Sequence, residues 1–268
     1  LNPYLVLVRE RYGKAPQPST EKVGTLSKEW AEKLGLKESI VISGSSFDAH
    51  AGAVGAGIAE KTFVCTMGTS CVDMFVEKAE NLKGKNIQSY CGQAENSILP
   101  GYVGVETGQA AFGDIFAWFK RLLEWPLNQL SQIRESDISE ELYIKVKDQI
   151  LLMLQEEAER LPDEPFPVAL DWFNGRRYPN TDDAQKSAIV GLSLGMDAPY
   201  LYRSLVFGAV CGLYRLIEGF EKQQINIEKI IAVGGISKKS PYVMQMLSDL
   251  SNREICILDS DQTCEIGR

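Results

Sequence analysis

The chain has 268 residues, of which 44% are hydrophobic and 24% charged, so it is long enough to bury a real core as one large domain or two. Its formal net charge of −8 argues against nucleic acid or an anionic membrane surface as the main partner. No apolar run approaches the roughly 18 residues of a membrane-spanning helix, and the first residues do not resemble a signal peptide.

The first half of the sequence alternates between predicted helices and strands. Residues 26–36 predict a short helix that ends near Gly35, and SIVIS, residues 39–43, predicts a buried strand. Residues 61–77 are rich in Val, Phe, Thr and Cys and predict two strands around a tight turn, Gly68-Thr69-Ser70. Residues 108–124 predict a helix, because apolar side chains recur there at helical spacing.

The second half predicts two long helices and a β-α-β unit. The helices are residues 139–161, halted before Pro162, and residues 198–222. The β-α-β unit begins with the strand EKIIAVGG, which runs into paired glycines, and ends with the strand EICIL. Between them, Ser240 is the expected N-cap of a helix with Pro241 at its first position. Alternation of this kind predicts an α/β domain.

The two ends of the sequence predict a fragment of a longer protein. The chain opens with LNPYLVLVRERYGKAP, without Met or a strand pattern, and stops at DSDQTCEIGR directly after a predicted strand. The polar stretch RYGKAPQPSTEKVG, residues 11–24, is the best loop candidate near the start.

The cysteines and the single histidine argue against a zinc site. The six cysteines, at positions 65, 71, 91, 211, 256 and 264, form no C-x-x-C pair. We therefore assign no residue as a metal ligand and expect reduced, mostly buried thiols in a cytoplasmic protein.

Two glycine-rich turns each follow a predicted strand. Gly68-Thr69-Ser70 and Gly234-Gly235 would let backbone amides approach an anion closely. Neither turn is a Walker A loop, because no G-K-[ST] follows. Taken alone, a glycine turn of this kind is more often a plain hairpin turn than a phosphate site.

Asp48 stands just after the predicted strand SIVIS and before the small-residue run AHAGAVGAG. A carboxylate there can act as a general base toward a substrate hydroxyl, or hold Mg²⁺ through water. It can equally cap the helix that follows, and from spacing alone the two roles stay open. Glycines in the run, Gly52, Gly55 and Gly57, would let that helix pack closely and leave room in a cleft.

Taken together, these motifs resemble the C-terminal part of the FGGY family of carbohydrate kinases, and most closely its ribulokinase branch. The similar segments, in the family's order and over nearly the whole chain, are FDAHAGAVGAG, MGTS, GVETGQAAFGDIFAWF, DWFNGRRYPNTDDAQKSAIVGLSL, AVGGISKKSPYVMQMLSDL and SDQTCEIG. An ordered set of matches is far more specific than any one motif.

The resemblance implies an α/β fold, an actin-like ATPase lobe of the ribonuclease H-like type with a mixed sheet flanked by helices. Residues 1–58 would be the tail of the first kinase lobe, including the catalytic-aspartate segment. Residues 59–268 would be the second, nucleotide-binding lobe, truncated before its last helix, which SDQTCEIG would begin.

The resemblance also implies an activity, ATP-dependent phosphorylation of a ketopentose with Mg²⁺. The expected reaction converts L-ribulose to L-ribulose 5-phosphate in arabinose catabolism, and this chain alone would be inactive without the first lobe. Asp48 would take the proton from the sugar hydroxyl, and Glu106 and His50 would bind the sugar. For His50, a helix-start residue bonded to backbone is the alternative. The expected nucleotide-binding residues are Gly68, Thr69, Ser70, Gly234, Gly235, Ser240 and Gln245.

Some features leave alternatives open. Tyr200, Phe207 and Ser240 depart from the family's usual residues, which puts fine adenine contacts in doubt. The segments FDAH and GVETGQ favour ribulose, but a xylulose or polyol kinase of the same family and a non-catalytic actin-like nucleotide-binding protein remain alternatives. The expected partners are a small sugar and ATP, with no nucleic acid and no membrane, and a homodimer is left open.

Overall fold

The computed structural model describes residues 3–12, 19–85, 87, 92–130, 139–259 and 263–267. The chain forms two compact units, Leu1–Asp48 and Ala49–Arg268. The assignment of residues 1–58 and 59–268 to two kinase lobes stays a prediction.

The first unit contains two helices and a two-stranded antiparallel sheet. Its elements are α1 (Pro3–Tyr12), β1 (Lys22–Thr25), α2 (Lys28–Leu34) and β2 (Val41–Ser43). The predicted helix is confirmed as α2, whose first turn is capped by the Ser27 hydroxyl and whose end is Gly35 in the left-handed conformation, with φ 66°.

Two predictions for the first unit need correction. The strand in SIVIS is present as β2, but it is exposed rather than buried. Its only partner in the described part of the chain is β1, and a two-stranded sheet buries little side-chain surface. The predicted loop, residues 11–24, is shorter than expected, because α1 extends to Tyr12 and β1 begins at Lys22. Residues 13–18 of that loop lie outside the described residues.

The second unit is built on a six-stranded mixed sheet in the order β10-β9-β3-β4-β6-β5. Strands β10, β9 and β3 are parallel, whereas β3, β4, β6 and β5 are antiparallel to their neighbours. The strands are β3 (Thr62–Met67), β4 (Cys71–Glu77), β5 (Gly92–Glu95), β6 (Val103–Gln109), β9 (Lys229–Val233) and β10 (Ile255–Ile257). The predicted hairpin around Gly68-Thr69-Ser70 is therefore confirmed.

Helices flank this sheet, as predicted. They are α3 (Asp48–Gly55), α4 (Ala79–Leu82), α5 (Gly113–Leu130), α6 (Glu140–Arg160), α7 (Ala198–Glu221), α8 (Gly235–Lys239), α9 (Pro241–Ser251) and α10 (Thr263–Ile266). A further antiparallel pair, β7 (Val168–Ala169) and β8 (Ile189–Val190), precedes α7. Among the described residues, no helix is both long and apolar enough to cross a membrane.

The end of the chain confirms the β-α-β prediction and corrects one helix. Strands β9 and β10 are parallel and α9 connects them, with Ser240 as its N-cap; the short helix α8 was not predicted. The predicted helix at residues 108–124 is wrong at its start, because β6 continues to Gln109 and α5 begins at Gly113. Residues 103–109 pair with β4 along their whole length, and this cross-strand pairing overrides the helical spacing that begins just after them.

The side chains of the central strands alternate between two faces of the sheet. Phe63, Phe75 and Ile230 face the side covered by α5, α6, α7 and α9, hereafter the α7 face. Val64, Met74 and Ile231 are their neighbours on the opposite side, which α3 covers, hereafter the α3 face. The period of two in a strand makes this division unavoidable once one face is buried.

Five cysteines lie in the described part of the chain, and all are free thiols. Cys65 and Cys71 are buried, whereas Cys211, Cys256 and Cys264 are half-buried. Cys91 lies outside the described residues.

Candidate functional site

Helix α3 carries Asp48 and His50 in its first turn. Asp48 is the first helical residue and is exposed, and the positive end of the helix dipole favours a carboxylate at that position. This placement suits both roles that the sequence left open, the general base and the helix-start residue. The role of Asp48 therefore stays a prediction.

His50 connects α3 to the sheet. Its Nδ1 lies 3.0 Å from the backbone oxygen of Ser97, and its Nε2 lies 3.3 Å from Oε2 of Glu106 on β6. A carbonyl oxygen only accepts, so Nδ1 donates to Ser97. The His50 side chain is 14% exposed and that of Glu106 is 44% exposed. The predicted sugar-binding pair thus lies together on the α3 face, with the imidazole fixed by backbone and the carboxylate accessible to solvent.

The small residues that follow His50 have a packing reason. A Cβ on Gly55 would overlap the backbone oxygen of Thr263, and a Cβ on Gly52 would lie 3.3 Å from Sγ of Cys264. The backbone of helix α10 therefore lies directly against α3. The expectation of close packing is confirmed for these two glycines, whereas Gly57, with φ 79°, supplies a left-handed turn. Helix α10 fills the space beside Gly55, so this glycine does not leave an open cleft there.

The turn Gly68-Thr69-Ser70 is held by the start of α5. Amides of residues 112–114 donate to the backbone oxygens of Gly68 and Thr69 at 2.8 to 3.1 Å, and the Gly68 amide donates to Ser70. Gly113 has no room for a side chain, because a Cβ there would lie 2.5 Å from the Gly68 oxygen. None of the hydrogen bonds in the described part of the chain uses the amides or hydroxyls of Thr69 and Ser70, so these remain as donors to a ligand.

The second glycine turn lies next to the first. Gly234 has φ 97°, and a Cβ there would lie 2.5 Å from the backbone oxygen of Met67, at the end of β3. Only glycine lets the end of β9 approach the end of β3 this closely. The Ser237 hydroxyl donates to the Gly234 oxygen and closes the turn into α8. The two glycine turns, far apart in sequence, therefore meet at one end of the sheet.

A cavity of about 510 Å³ opens where the two turns meet, on the α7 face. Its walls come from the β3–β4 turn, α5, α6, α7 and α8, and its lining residues include Gly68, Thr69, Gly113, Asp114, Asp148, Tyr202, Gly235, Lys239 and Ser240. The volume lies within the range of cavities that bind small molecules. This nucleotide-sized cavity brings together four of the seven predicted nucleotide-binding residues: Gly68, Thr69, Gly235 and Ser240.

The other three predicted nucleotide contacts, Gly234, Ser70 and Gln245, do not line the cavity. Gly234 and Ser70 adjoin the lining residues in sequence, but Gln245 lies on the exposed side of α9, where its amide donates to Asp249 at 2.7 Å. Ser240 lines the cavity and also caps α9: its hydroxyl donates to Gln155 at 2.7 Å and accepts from the Val243 amide.

Of the three residues that depart from the family pattern, Ser240 lines this nucleotide-sized cavity, whereas Tyr200 and Phe207 are absent from its lining. Tyr200 donates to Glu164, and the Phe207 ring packs edge-on against Phe166 at 5.4 Å. Their substitution therefore leaves the walls of this cavity unchanged.

Two acids on the α7 face, the buried Asp73 and the half-buried Asp171, were missed from the sequence. Asp73 on β4 is fully buried, and burial raises its pKa to about 7, although Cys71, Cys65 and Arg177 act in the opposite direction. Burial likewise raises the pKa of Asp171, which accepts from the Gln109 side chain at 2.6 Å. The sequence did contain a signal for Asp73. Side chains two residues apart in a strand point to the same face, so Asp73 lies on the same buried face as Cys71 and Phe75.

Comparison with known proteins adds family information to this geometry. Residues 63–268 match the sequence model of the FGGY family of carbohydrate kinases, C-terminal domain. A protein named ribulokinase from Vibrio parahaemolyticus is 39% identical over 269 residues, which cover 100% of this chain and 47% of the relative. Another protein named ribulokinase, from Anoxybacillus flavithermus, is 33% identical over 251 residues, covering 93% of this chain and 42% of the relative. The chain thus spans about half the length of the curated relatives it matches.

Solved structures share the fold at lower sequence identity. A xylulose kinase from Rhodospirillum rubrum superposes with a TM-score of 0.72 at 18% identity, over 93% of this chain and 46% of that one. A Plasmodium falciparum glycerol kinase with ADP gives a TM-score of 0.69 at 16% identity, over 94% of this chain and 45% of that one. These likenesses confirm the predicted actin-like fold, a mixed sheet flanked by helices.

Proposed function

We propose that this chain, which belongs to the FGGY family of carbohydrate kinases, is the part of an ATP-dependent ketopentose kinase that binds the nucleotide and carries the general base. The observation that carries the proposal is the nucleotide-sized cavity, where two glycine turns meet at one end of the sheet. Both relatives are named ribulokinase, which favours L-ribulose as the sugar and L-ribulose 5-phosphate as the product. This reaction belongs to arabinose catabolism, and we place it in the cytoplasm.

The nucleotide part of the proposal rests on the turns. The amides and hydroxyls of Thr69 and Ser70 donate to phosphate oxygens, and Lys239 supplies a positive charge at the wall. Gly235, at the start of α8, has open space where a side chain would stand, so the nucleotide can lie against the backbone there. The glycerol kinase noted above, which shares the fold and was solved with ADP, supports an adenine nucleotide as the ligand.

The sugar part rests on the α3 face. Glu106 accepts hydrogen bonds from sugar hydroxyls, and His50 holds that carboxylate in position through its contact at 3.3 Å. Asp48, two residues before His50 in α3, accepts the proton of the hydroxyl that attacks the terminal phosphate of ATP. Catalysis of this reaction class is largely a matter of positioning and charge stabilisation.

Mg²⁺ fits the residues of the nucleotide-sized cavity. The ion prefers oxygen ligands and usually binds through phosphate oxygens and one or two carboxylates. Asp114 and Asp148 both line the cavity and offer such carboxylates. When bound, the ion neutralises charge on the phosphates.

The experiment that tests the proposal replaces Asp48 by Asn in the complete protein. We expect kcat with L-ribulose and ATP to fall by roughly 10²–10⁴, because Asn keeps the shape and cannot accept a proton. ATP binding, measured by calorimetry, and the melting temperature should change little.

The alternative role of Asp48 predicts a different outcome. Asn caps a helix about as well as Asp, so a purely structural Asp48 would give near-normal kcat for Asn and a stability loss only for Ala. A kcat for Asp48→Asn within a few-fold of the unsubstituted protein would remove Asp48 from the chemistry.

A substrate panel distinguishes the proposal from its alternatives. L-ribulose should give the highest kcat/KM, ahead of D-xylulose and ribitol; a higher value for either of these would assign the xylulose or polyol activity instead. An absence of phosphoryl transfer to any of them by the complete protein would favour the non-catalytic alternative. The 268-residue chain alone should show no turnover in the same coupled assay, because it spans about half of its relatives.

A further inference from the structure

A second cavity lies on the α7 face, apart from the nucleotide-sized cavity. Its volume is about 290 Å³, and its walls are the end of β6, β7, the segment that follows β7, and α7. The residues that matter below are Gln109, Asp171, Trp172, Arg176, Arg177 and Cys211. The segment after β7 is DWFNGRRYP, which the proposed kinase function does not use.

The floor of this second cavity is a hydrogen-bonded pair of polar side chains, the buried Gln109 and the half-buried Asp171. The Gln109 amide nitrogen donates to Asp171 at 2.6 Å and to the backbone oxygen of Ala209 at 2.9 Å. Gly212 on α7 must lack a side chain, because a Cβ there would overlap both polar groups. The fold therefore accommodates this pair at the cost of a glycine within a long helix.

One atom of the floor has no partner. Gln109 is 5% exposed, and its Oε1 accepts no hydrogen bond from any residue in the described part of the chain. A buried amide oxygen without a donor costs about 1–3 kcal/mol, so a water or a ligand hydroxyl is expected there. Asp171 offers a second acceptor beside it, and burial raises the pKa of this acid.

The walls of the second cavity are positively charged. Three arginines line it, Arg176, Arg177 and Arg215, against the single acid Asp171. The Arg176 guanidinium stacks on Trp172 at 5.2 Å, and Arg215 pairs with Glu218. Arg177 has no salt bridge among the described residues, and its charge acts on the buried Asp73. An anionic group in the cavity would form an ion pair with Arg177.

The second cavity is separate from the proposed sugar site. Glu106 and Gln109 belong to the same strand, but Glu106 contacts His50 on α3, whereas Gln109 contacts Ala209 on α7. The two side chains therefore point to opposite faces of the sheet.

We propose that the second cavity binds a small hydroxylated anion, whose hydroxyls donate to Gln109 and Asp171 and whose anionic group pairs with Arg177. The volume admits a molecule of a few carbon atoms with one phosphate or carboxylate.

The test uses three probes on the complete protein: glycerol 3-phosphate, glycerol and inorganic phosphate. Binding is followed by calorimetry and by the fluorescence of Trp172, with Trp172→Phe as the fluorescence control. Glycerol 3-phosphate should bind at least about tenfold more tightly than either other probe, because it alone supplies both the hydroxyls and the anion.

Matched variants locate the binding site. Arg177→Leu should weaken glycerol 3-phosphate binding by about tenfold or more. Cys211→Met should do the same by filling the cavity, without a change of charge. Arg160→Leu, an exposed arginine on α6, is the control and should leave binding unchanged.

Several results would overturn the proposal. They are absence of binding at millimolar glycerol 3-phosphate, equal affinity for glycerol 3-phosphate and phosphate, or unchanged affinity in Arg177→Leu and Cys211→Met. The first would assign the Gln109 oxygen to an ordered water, and the last would place the probe elsewhere. If both variants fail to fold, the comparison of the three probes decides the question.

Discussion

The α3 face and the α7 face of the sheet use the same strands but are built differently. On the α3 face, α3 contributes alanines and glycines, and the backbone of α10 lies directly against Gly55. On the α7 face, four helices bury large side chains, and the rings of Phe63 and Phe75 both contact the ring of Phe220. The layer that covers the α3 face is therefore thin, and the layer that covers the α7 face is thick.

This difference separates two tasks. A thin layer brings the first turn of α3 close to β6, so that the short reach of His50 suffices to contact Glu106. A thick layer encloses volume, and both cavities described above lie on that side. The proposed sugar contacts thus lie on the thin side, and the proposed nucleotide contacts lie at the end of the thick side.

The thick face should be sensitive to a charge in its core. Asp73→Asn should stabilise the protein at pH 8, because the unsubstituted residue is buried with a pKa of about 7. The raised pKa means that the folded state favours the neutral acid, so the stability due to Asp73 is present below pH 3.8 and is lost as the pH rises through about 7. The full effect is at most roughly 4 kcal/mol.

Denaturant unfolding at pH 5 and pH 8 measures this effect. The stability difference between Asp73→Asn and the unsubstituted protein should grow by roughly 2–3 kcal/mol from pH 5 to pH 8. Asp249→Asn, on the exposed side of α9, is the control and should show no such trend. A difference that does not depend on pH would mean that Asp73 does not titrate in this range.

The thin face should be sensitive to one added methyl group. Gly55→Ala should destabilise the protein by about 1–3 kcal/mol, because the Cβ would overlap the Thr263 backbone and force α10 away. Gly92→Ala on β5, where a Cβ would meet no atom within 4 Å, is the matched control. Urea unfolding of both variants makes the comparison, and equal stabilities would contradict the close packing of α3 and α10.

A smaller effect distinguishes two of the predicted nucleotide contacts, Ser240 and Gln245, by their contributions to stability. Ser240→Ala should cost about 0.5–2 kcal/mol, because Ser240 caps α9, while Gln245→Ala should leave stability nearly unchanged. Thermal unfolding measures both. In ATP titrations of the complete protein, Gln245→Ala should also bind normally, since its side chain lies outside the nucleotide-sized cavity; a loss of ATP affinity would restore Gln245 as a contact.

Local signals in the sequence identified much of this architecture. The turn Gly68-Thr69-Ser70, the cap at Ser240 and the stop before Pro162 depend on residues that are neighbours in sequence, and all three are confirmed. Strand β6 was missed because its pairing with β4 is a long-range effect, and the helical spacing of α5 begins directly after it.

The candidate site was predicted less completely for the same reason. Asp48, Glu106 and His50 came from a resemblance to a family, and no local pattern could show that His50 contacts Glu106 across the fold. The pKa of Asp73 and the pairing of Gln109 with Asp171 depend on burial by α7, which is distant in sequence.

The most direct test of the division between the two faces is the Glu106→Gln variant of the complete protein, assayed with L-ribulose and ATP. The KM for the sugar should rise roughly tenfold to hundredfold, since a sugar hydroxyl loses a charged acceptor worth about 1.5–3 kcal/mol. The KM for ATP should stay within about twofold, and Glu95→Gln on the neighbouring strand β5 should change neither constant. A rise in the KM for ATP with an unchanged KM for the sugar would contradict the account.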